Sequence, residues 1–88
     1  KVKTSGSTFK NPVDQTNKKV WELIKESVDI KKTNQMFGDA KLSEKHCNFL
    51  INKQNASSKD MKNLINFIKE SVYKKTGVNL ELEIILTS

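Results

Sequence analysis

Histidine and cysteine, which often serve as catalytic bases and nucleophiles, occur only once each in this sequence, and their spacing suits few reactions. The one histidine and the one cysteine, His46 and Cys47, are neighbours. In a strand they would face opposite sides and form neither a nucleophilic dyad nor a metal site. We therefore predict that Cys47 is a small core residue. Only Gly6, Gly38 and Gly77 are glycines, which excludes a Gly-rich dinucleotide fingerprint and a phosphate loop.

Two polar features remain as candidates for a site. Residues 6–12 place a glycine and a serine ahead of a lysine, an asparagine and a proline. Pro12 biases Asn11 toward extended geometry, so this order predicts a strand or loop that ends in a turn. Glu83 falls in a segment of alternating polarity and is predicted to lie on the open face of a strand. Residue type and spacing alone assign a reaction to neither feature.

Hydrophobic periodicity predicts the elements that position these residues. A first helix is expected after Thr16 or Asn17, either of which can cap it. Its apolar residues recur with the spacing of one helical face: Val20, Leu23, Ile24 and Val28. Residues 29–34 form a predicted lysine-rich connection, residues 36–42 a short turn or strand, and residues 48–52 a short buried strand.

A second helix has the clearest pattern in the sequence. Ser57 or Ser58 is its predicted cap, and Asp60 has the spacing of a capping box with Ser57. Gly77 is predicted to end it. The apolar stripe of this helix comprises Met61, Leu64, Ile65, Ile68 and Val72.

The last segment completes the predicted fold. Residues 78–87 alternate apolar and polar side chains, which predicts a half-buried strand with Glu81 and Glu83 directed away from the helices. Helices and strand-like segments in this order predict an α+β domain. We expect two layers, with a small, mostly antiparallel sheet and the helices on one of its faces.

Length and composition exclude several classes of protein. The 88 residues suffice for one small domain. Their longest purely apolar runs are three residues, far short of the ~20 that a membrane helix needs. A single cysteine cannot form an internal disulfide, which favours the cytoplasm. Because the sequence begins without a methionine or an apolar signal core, we expect it to be part of a longer chain.

The surplus of positive charge has two interpretations. All basic residues are lysines; there are 16 of them against 10 carboxylates, a net charge of +6. The first interpretation is a solvated surface, and the second is attraction for an anion such as nucleic acid or a phosphorylated small molecule. Nucleic-acid readers usually combine arginine with aromatic residues along the basic stripe, and this chain lacks both features. We therefore do not favour a nucleic-acid partner.

Four stretches in order resemble one enzyme family. Residues 6–12 resemble the Gly-Ser-x-Phe-Lys-Asn-Pro motif that opens the C-terminal domain of UDP-N-acetylenolpyruvoylglucosamine reductases, flavoenzymes that make UDP-N-acetylmuramate for peptidoglycan. Residues 38–52 are similar to the family's Gly-x-Ala-x-x-Ser-x-Lys-His-x-x-Phe stretch with the apolar strand that follows it. Residues 55–60 resemble its Asn-Ala-Thr-Ala-x-Asp helix entry, and residues 77–84 its closing Gly-Val-x-Leu-x-x-Glu-Val strand.

This resemblance implies a cytoplasmic reductase of which residues 1–88 are the C-terminal, substrate-binding domain. It implies FAD as cofactor, NADPH as hydride donor and UDP-N-acetylglucosamine enolpyruvate as substrate. The FAD-binding domain of the same protein, with an arginine that stabilises the enolate, is expected N-terminal to this chain. We therefore expect the fragment alone to be inactive and to contain no cofactor-binding residue, and we expect no nucleic-acid or membrane partner.

The resemblance also assigns roles to individual side chains. Ser7 matches the family's proton donor, and Glu83 its catalytic glutamate, which helps to orient or polarise the substrate carboxylate. We expect the two to lie on one concave surface. Four further residues match, or lie beside, positions on the substrate side: Lys10, Asn11, Lys45 and His46.

Two alternatives stay open on the sequence. A stand-alone basic α+β module would bind nucleic acid or an acidic partner, with an affinity that falls steeply with salt. A degenerate or regulatory copy would keep the motifs without an FAD-binding partner domain.

Overall fold

The computed structural model describes residues 8–45, 47–48, 50–52 and 57–83 of the chain. Within them the order of elements is two helices, two strands and a long helix: α1 (Val20–Ser27), α2 (Ile30–Thr33), β1 (Ala40–Leu42), β2 (Leu50–Asn52) and α3 (Ser58–Thr76). β1 and β2 pair antiparallel in a two-stranded sheet. The predicted α+β class is therefore confirmed. Among the described residues no helix is both long enough and apolar enough to cross a bilayer.

The core forms where α3 packs against α1 and β1. α1 buries Val20, Leu23 and Ile24, as their spacing predicts. α3 buries the whole predicted stripe: Met61, Leu64, Ile65, Ile68 and Val72. Cys47 is 3% exposed and belongs to the same apolar cluster, which confirms the prediction that it is a core residue.

Local hydrogen bonds define both ends of α3. The Ser57 hydroxyl accepts from the Asp60 N–H at 3.0 Å, and the Asp60 carboxylate accepts from the Ser57 N–H at 3.3 Å. Gly77 follows the helix with a φ of 77°, a left-handed conformation that glycine adopts without a steric penalty. The predicted capping box and the predicted C-terminal stop are both confirmed.

The predicted start of α1 is wrong. The helix begins at Val20 with Lys19 as N-cap, whereas Thr16 accepts a hydrogen bond from the Lys18 N–H at 3.2 Å within its own turn. The Asn11 side chain, nine residues before Val20, accepts from the Val20 N–H at 3.1 Å. A residue remote from the helix therefore satisfies a free donor of its first turn, where a local cap was expected.

The interpretation of residues 29–34 as a plain connection is also wrong, because they contain α2. Asp29 caps this single turn by accepting from the Lys32 N–H at 3.2 Å. Thr33 is buried and donates its hydroxyl to the Asp29 carbonyl at 2.8 Å. These hydrogen bonds and the packing of Ile30 against the core stabilise a helical turn in a segment that is rich in lysine.

The predicted last strand is confirmed only in part. Val78 and Leu80 are buried and Glu81 and Glu83 are exposed, as the alternation predicts. Leu82 is 39% exposed where burial was expected, and its pairing is limited to an isolated antiparallel bridge with Phe9. The rest of that prediction, residues 84–87, lies outside the described residues.

Candidate functional site

The two ends of the described chain are hydrogen-bonded to each other. The Lys10 N–H donates to the Glu81 carbonyl at 2.9 Å, and the Glu83 N–H donates to the Thr8 carbonyl at 2.9 Å. Residues 8–10 and 81–83 are called the terminal pair below. Through these bonds Glu83 is joined to the residue that follows Ser7 in the chain. Ser7 itself, like His46, lies outside the described residues.

A cleft of about 220 Å³ lies beside the terminal pair. Its walls include two predicted substrate residues, Lys10 and Asn11, together with Gln15, Asn79 and Glu81. Lysine and glutamate give this cleft charges of both signs. Its volume is below the ~300 to 1,000 Å³ of typical small-molecule sites, so these residues do not enclose a flavin by themselves.

Asn11 has a structural partner as well as a place in the cleft wall. Its Oδ1 accepts from the first N–H of α1, while no described residue accepts a hydrogen bond from its Nδ2. An amide has two N–H donors in addition to its oxygen. Asn11 can therefore cap α1 and still donate to a bound molecule.

Asn48 holds the segment that follows Ser7. Its backbone carbonyl accepts from the Thr8 N–H at 2.7 Å. Its side chain accepts from the Phe9 N–H at 3.0 Å and donates to the Phe9 carbonyl at 3.0 Å. A side-chain amide that bonds both backbone groups of one distant residue in this way is called an amide clamp below. Periodicity does not reveal Asn48, because the bonds span 39 residues.

Two more amide clamps organise the domain. Gln15 accepts from the Asn79 N–H at 2.8 Å and donates to its carbonyl at 2.9 Å, which fixes the turn after Pro12 against the last segment. Asn34 makes the same pair of bonds to Leu42, at 2.7 and 2.9 Å. No pattern in the sequence predicts the role of Gln15 or Asn34. The only local signal is an amide residue in a turn, which is too common to identify a clamp.

Cys47, the residue before Asn48, links their turn to helix α1. The Cys47 thiol donates to the Trp21 carbonyl of α1 at 3.2 Å. Burial raises the pKa of the Cys47 thiol, and the nearby Lys25 opposes this shift more weakly. A raised pKa disfavours the reactive thiolate. Lys45, on the other side of His46, is exposed.

In the described part of the chain, no three His, Cys, Asp or Glu residues are grouped closely enough to hold a metal ion. The exposed ion pair between Lys18 and Glu26, at 2.9 Å, lies on α1 and the turn before it. Pairs of this kind contribute at most about 1 kcal/mol. By contrast, Lys10, Glu81 and Glu83 are the charged residues of the terminal pair itself.

Comparison with known proteins gives a consistent result. Residues 1–87 match the family model described as "UDP-N-acetylenolpyruvoylglucosamine reductase, C-terminal domain". The chain is 64% identical over 84 residues to a protein from Pelagibacter ubique that is named UDP-N-acetylenolpyruvoylglucosamine reductase. The aligned residues are 96% of this chain and 27% of that relative. A relative of the same name from Rickettsia typhi is 45% identical over 84 residues, 96% of this chain and 26% of its own length. The chain thus spans about a quarter of the relatives it matches.

Proposed function

Because the chain belongs to the family of C-terminal domains of UDP-N-acetylenolpyruvoylglucosamine reductases, we propose that it is the substrate-binding domain of such an enzyme. The substrate is UDP-N-acetylglucosamine enolpyruvate and the product UDP-N-acetylmuramate, a precursor of peptidoglycan. The remaining portion of the protein, N-terminal to this chain, binds FAD. The whole enzyme works in the cytoplasm and consumes NADPH.

The observation that supports this proposal best is the terminal pair. Ser7, the proposed proton donor, and Glu83, the proposed catalytic glutamate, are 76 positions apart in the sequence. Backbone bonds nonetheless join Glu83 to Thr8 at 2.9 Å. A reaction that needs both groups requires such a connection, because a catalytic acid acts only within hydrogen-bond reach of its substrate.

The reaction reduces the enolpyruvyl double bond. A bound FAD would supply the hydride, with NADPH as its source, and that hydride would add to the terminal methylene carbon of the substrate. The electron pair of the double bond then moves to the neighbouring carbon and spreads into the carboxylate. Ser7 gives its hydroxyl proton to that carbon, so the hydride converts the methylene group to a methyl group and the proton completes the neighbouring carbon as a C–H group. Serine is a weak acid, and it suffices here because the carbanion is strongly basic.

The other residues bind and polarise the substrate. Glu83, exposed on the terminal pair, helps to orient or polarise the substrate carboxylate. Lys10 supplies a positive charge for the diphosphate or the carboxylate, and Asn11 supplies amide donors. Lys45 and His46, which precede Cys47 in the sequence, are further substrate contacts.

The proposal is tested on the full-length protein by following its flavin spectrum in two separate steps. NADPH should reduce the flavin, and the enolpyruvyl substrate should reoxidise it. Ser7→Ala should leave the first step intact and slow the second by roughly 10² to 10⁴. Glu83→Gln should also slow the second step, whereas Glu70→Gln, an exposed carboxylate on α3, should change neither. A full-length protein that the substrate does not reoxidise would contradict the proposal.

A further inference from the structure

Asn48 makes three hydrogen bonds to the segment that follows Ser7. Its three bonds reach the Thr8 N–H, the Phe9 N–H and the Phe9 carbonyl, at 2.7, 3.0 and 3.0 Å. The Thr8 N–H belongs to the planar peptide unit that joins Thr8 to Ser7. The bond therefore fixes the backbone at Thr8, immediately after Ser7 in the sequence.

The terminal pair constrains the same short segment from its other side. The Thr8 carbonyl accepts from Glu83, and the Lys10 N–H donates to Glu81. Thr8 and Phe9 are themselves buried, each at 1% exposure. With the Asn48 bonds included, both backbone groups of Thr8 and of Phe9 are hydrogen-bonded. The peptide planes that follow Ser7 thus have little freedom to rotate.

Asn48 is in turn fixed to the core. Cys47, the preceding residue, is 3% exposed and its thiol donates to the Trp21 carbonyl. Leu50, two residues later, begins β2 and pairs with Leu42. The clamp therefore connects the serine segment to α1 and to the sheet.

We propose that Asn48 is a positioning residue for the proton-donating serine: its amide clamp on Phe9 and its bond to Thr8 fix the backbone that presents Ser7 to the substrate. This inference rests on the proposed function and adds a residue to it. Proton transfer is sensitive to such placement, because a displacement of about 1 Å can reduce a rate on the order of 10²-fold. Binding of substrate depends on other groups, so the effect falls on kcat more than on KM.

The test compares two amide clamps in the full-length flavoprotein. Asn48→Asp keeps the size of the side chain and an acceptor for the Phe9 N–H but removes the donor to the Phe9 carbonyl. Asn34→Asp makes the identical change in the clamp on Leu42. Three quantities are measured: flavin reduction by NADPH, flavin reoxidation by the enolpyruvyl substrate, and hydrogen exchange of the amides of residues 8–10.

We expect Asn48→Asp to slow reoxidation by about 10- to 100-fold, to change flavin reduction and the substrate KM by less than about twofold, and to speed exchange in residues 8–10. Asn34→Asp should leave both rates and that exchange unchanged. If Asn48→Asp does not fold, Asn48→Gln, which keeps the amide but displaces it by one methylene, should show the same split between the two rates.

Two results would overturn the inference while leaving the proposed function in place. One is a wild-type protein that turns over normally beside an Asn48 variant whose reoxidation rate is unchanged. The other is an Asn48 variant that slows reduction and reoxidation equally, or no more than Asn34→Asp does, since this indicates a merely structural role. A wild-type protein that the substrate cannot reoxidise would instead overturn the proposed function and this inference together.

Discussion

Helix α3 and the terminal pair are stabilised in opposite ways. Every bond that defines the ends of α3 joins residues close in sequence: Ser57 with Asp60, and Gly77 with Tyr73. The terminal pair joins residues more than 70 positions apart, such as Thr8 and Glu83. Its neighbouring clamps span 39 residues for Asn48 and 64 for Gln15.

This difference separates the scaffold from the site. The ends of α3 depend on short-range signals, although its buried face shares one apolar cluster with Phe9 of the terminal pair. The terminal pair forms only after the chain closes a long loop, which has an entropic cost that the polar bonds and the burial of Phe9 must offset. We therefore expect changes in α3 to act on stability and changes around the terminal pair to act on local order and catalysis.

The largest effect on the scaffold should come from its core. Ile68→Ala removes a fully buried side chain from α3 and should lower the free energy of unfolding by about 2 to 5 kcal/mol. Asn66→Ala, on the exposed face of the same helix, should change it by less than ~0.5 kcal/mol. Urea unfolding of both variants measures the difference, and similar values for the two would contradict the assigned core face.

A substitution at the C-terminal end of α3 should lower the free energy of unfolding by a smaller amount. Gly77→Ala places a side chain at a φ of 77°, where no atom of the described residues beyond Thr76 and Val78 lies within 4 Å of the added Cβ. The cost is therefore conformational and should be about 1 to 2 kcal/mol. Gly77→Asn should lose less, because asparagine tolerates this region better. Equal losses in the two variants, measured by urea unfolding, would indicate a steric cause.

A still smaller change in overall stability is expected at the Gln15 clamp. Gln15→Ala removes two partly solvated hydrogen bonds to Asn79 and should lower the free energy of unfolding by roughly 0.5 to 1.5 kcal/mol. Its effect on hydrogen exchange should be concentrated at the Asn79 amide and the terminal pair. Faster exchange spread evenly along α3 as well would show that the two regions are not separate.

The smallest expected effect is that of the Cys47 thiol on the free energy of unfolding, and it should appear only at alkaline pH. Burial raises the pKa of the Cys47 thiol, so the folded state holds this proton more tightly than the unfolded chain does. The resulting stabilisation is complete below the ordinary pKa of about 8.5 and is lost as pH rises through the folded value. Cys47→Ala should remove this part of the pH dependence in urea unfolding between pH 7.5 and 9.5. An unchanged slope would show that the thiol does not contribute.

The same contrast explains what the sequence could predict. The stripe from Met61 to Val72, the capping box of Ser57 and Asp60, and the stop at Gly77 are local patterns with a direct physical meaning. The family motifs identify residues but give no geometry. The clamps of Asn48 and Gln15, and the capping of α1 by Asn11, depend on which segments meet in three dimensions. No periodicity in a single sequence encodes such contacts. The short helix α2 is not predicted because a single capping residue, Asp29, and a single buried residue, Thr33, do not form a recognisable pattern.

We propose that closure of the terminal pair lets Ser7 and Glu83 act as one catalytic unit. The decisive measurement is a double-mutant cycle on flavin reoxidation in the full-length protein, with Ser7→Ala, Glu83→Gln and the combination. We expect strong non-additivity, with the double variant about as slow as the slower single variant. Two losses that multiply in the double variant would show that the residues act independently and that closure of the terminal pair does not couple them.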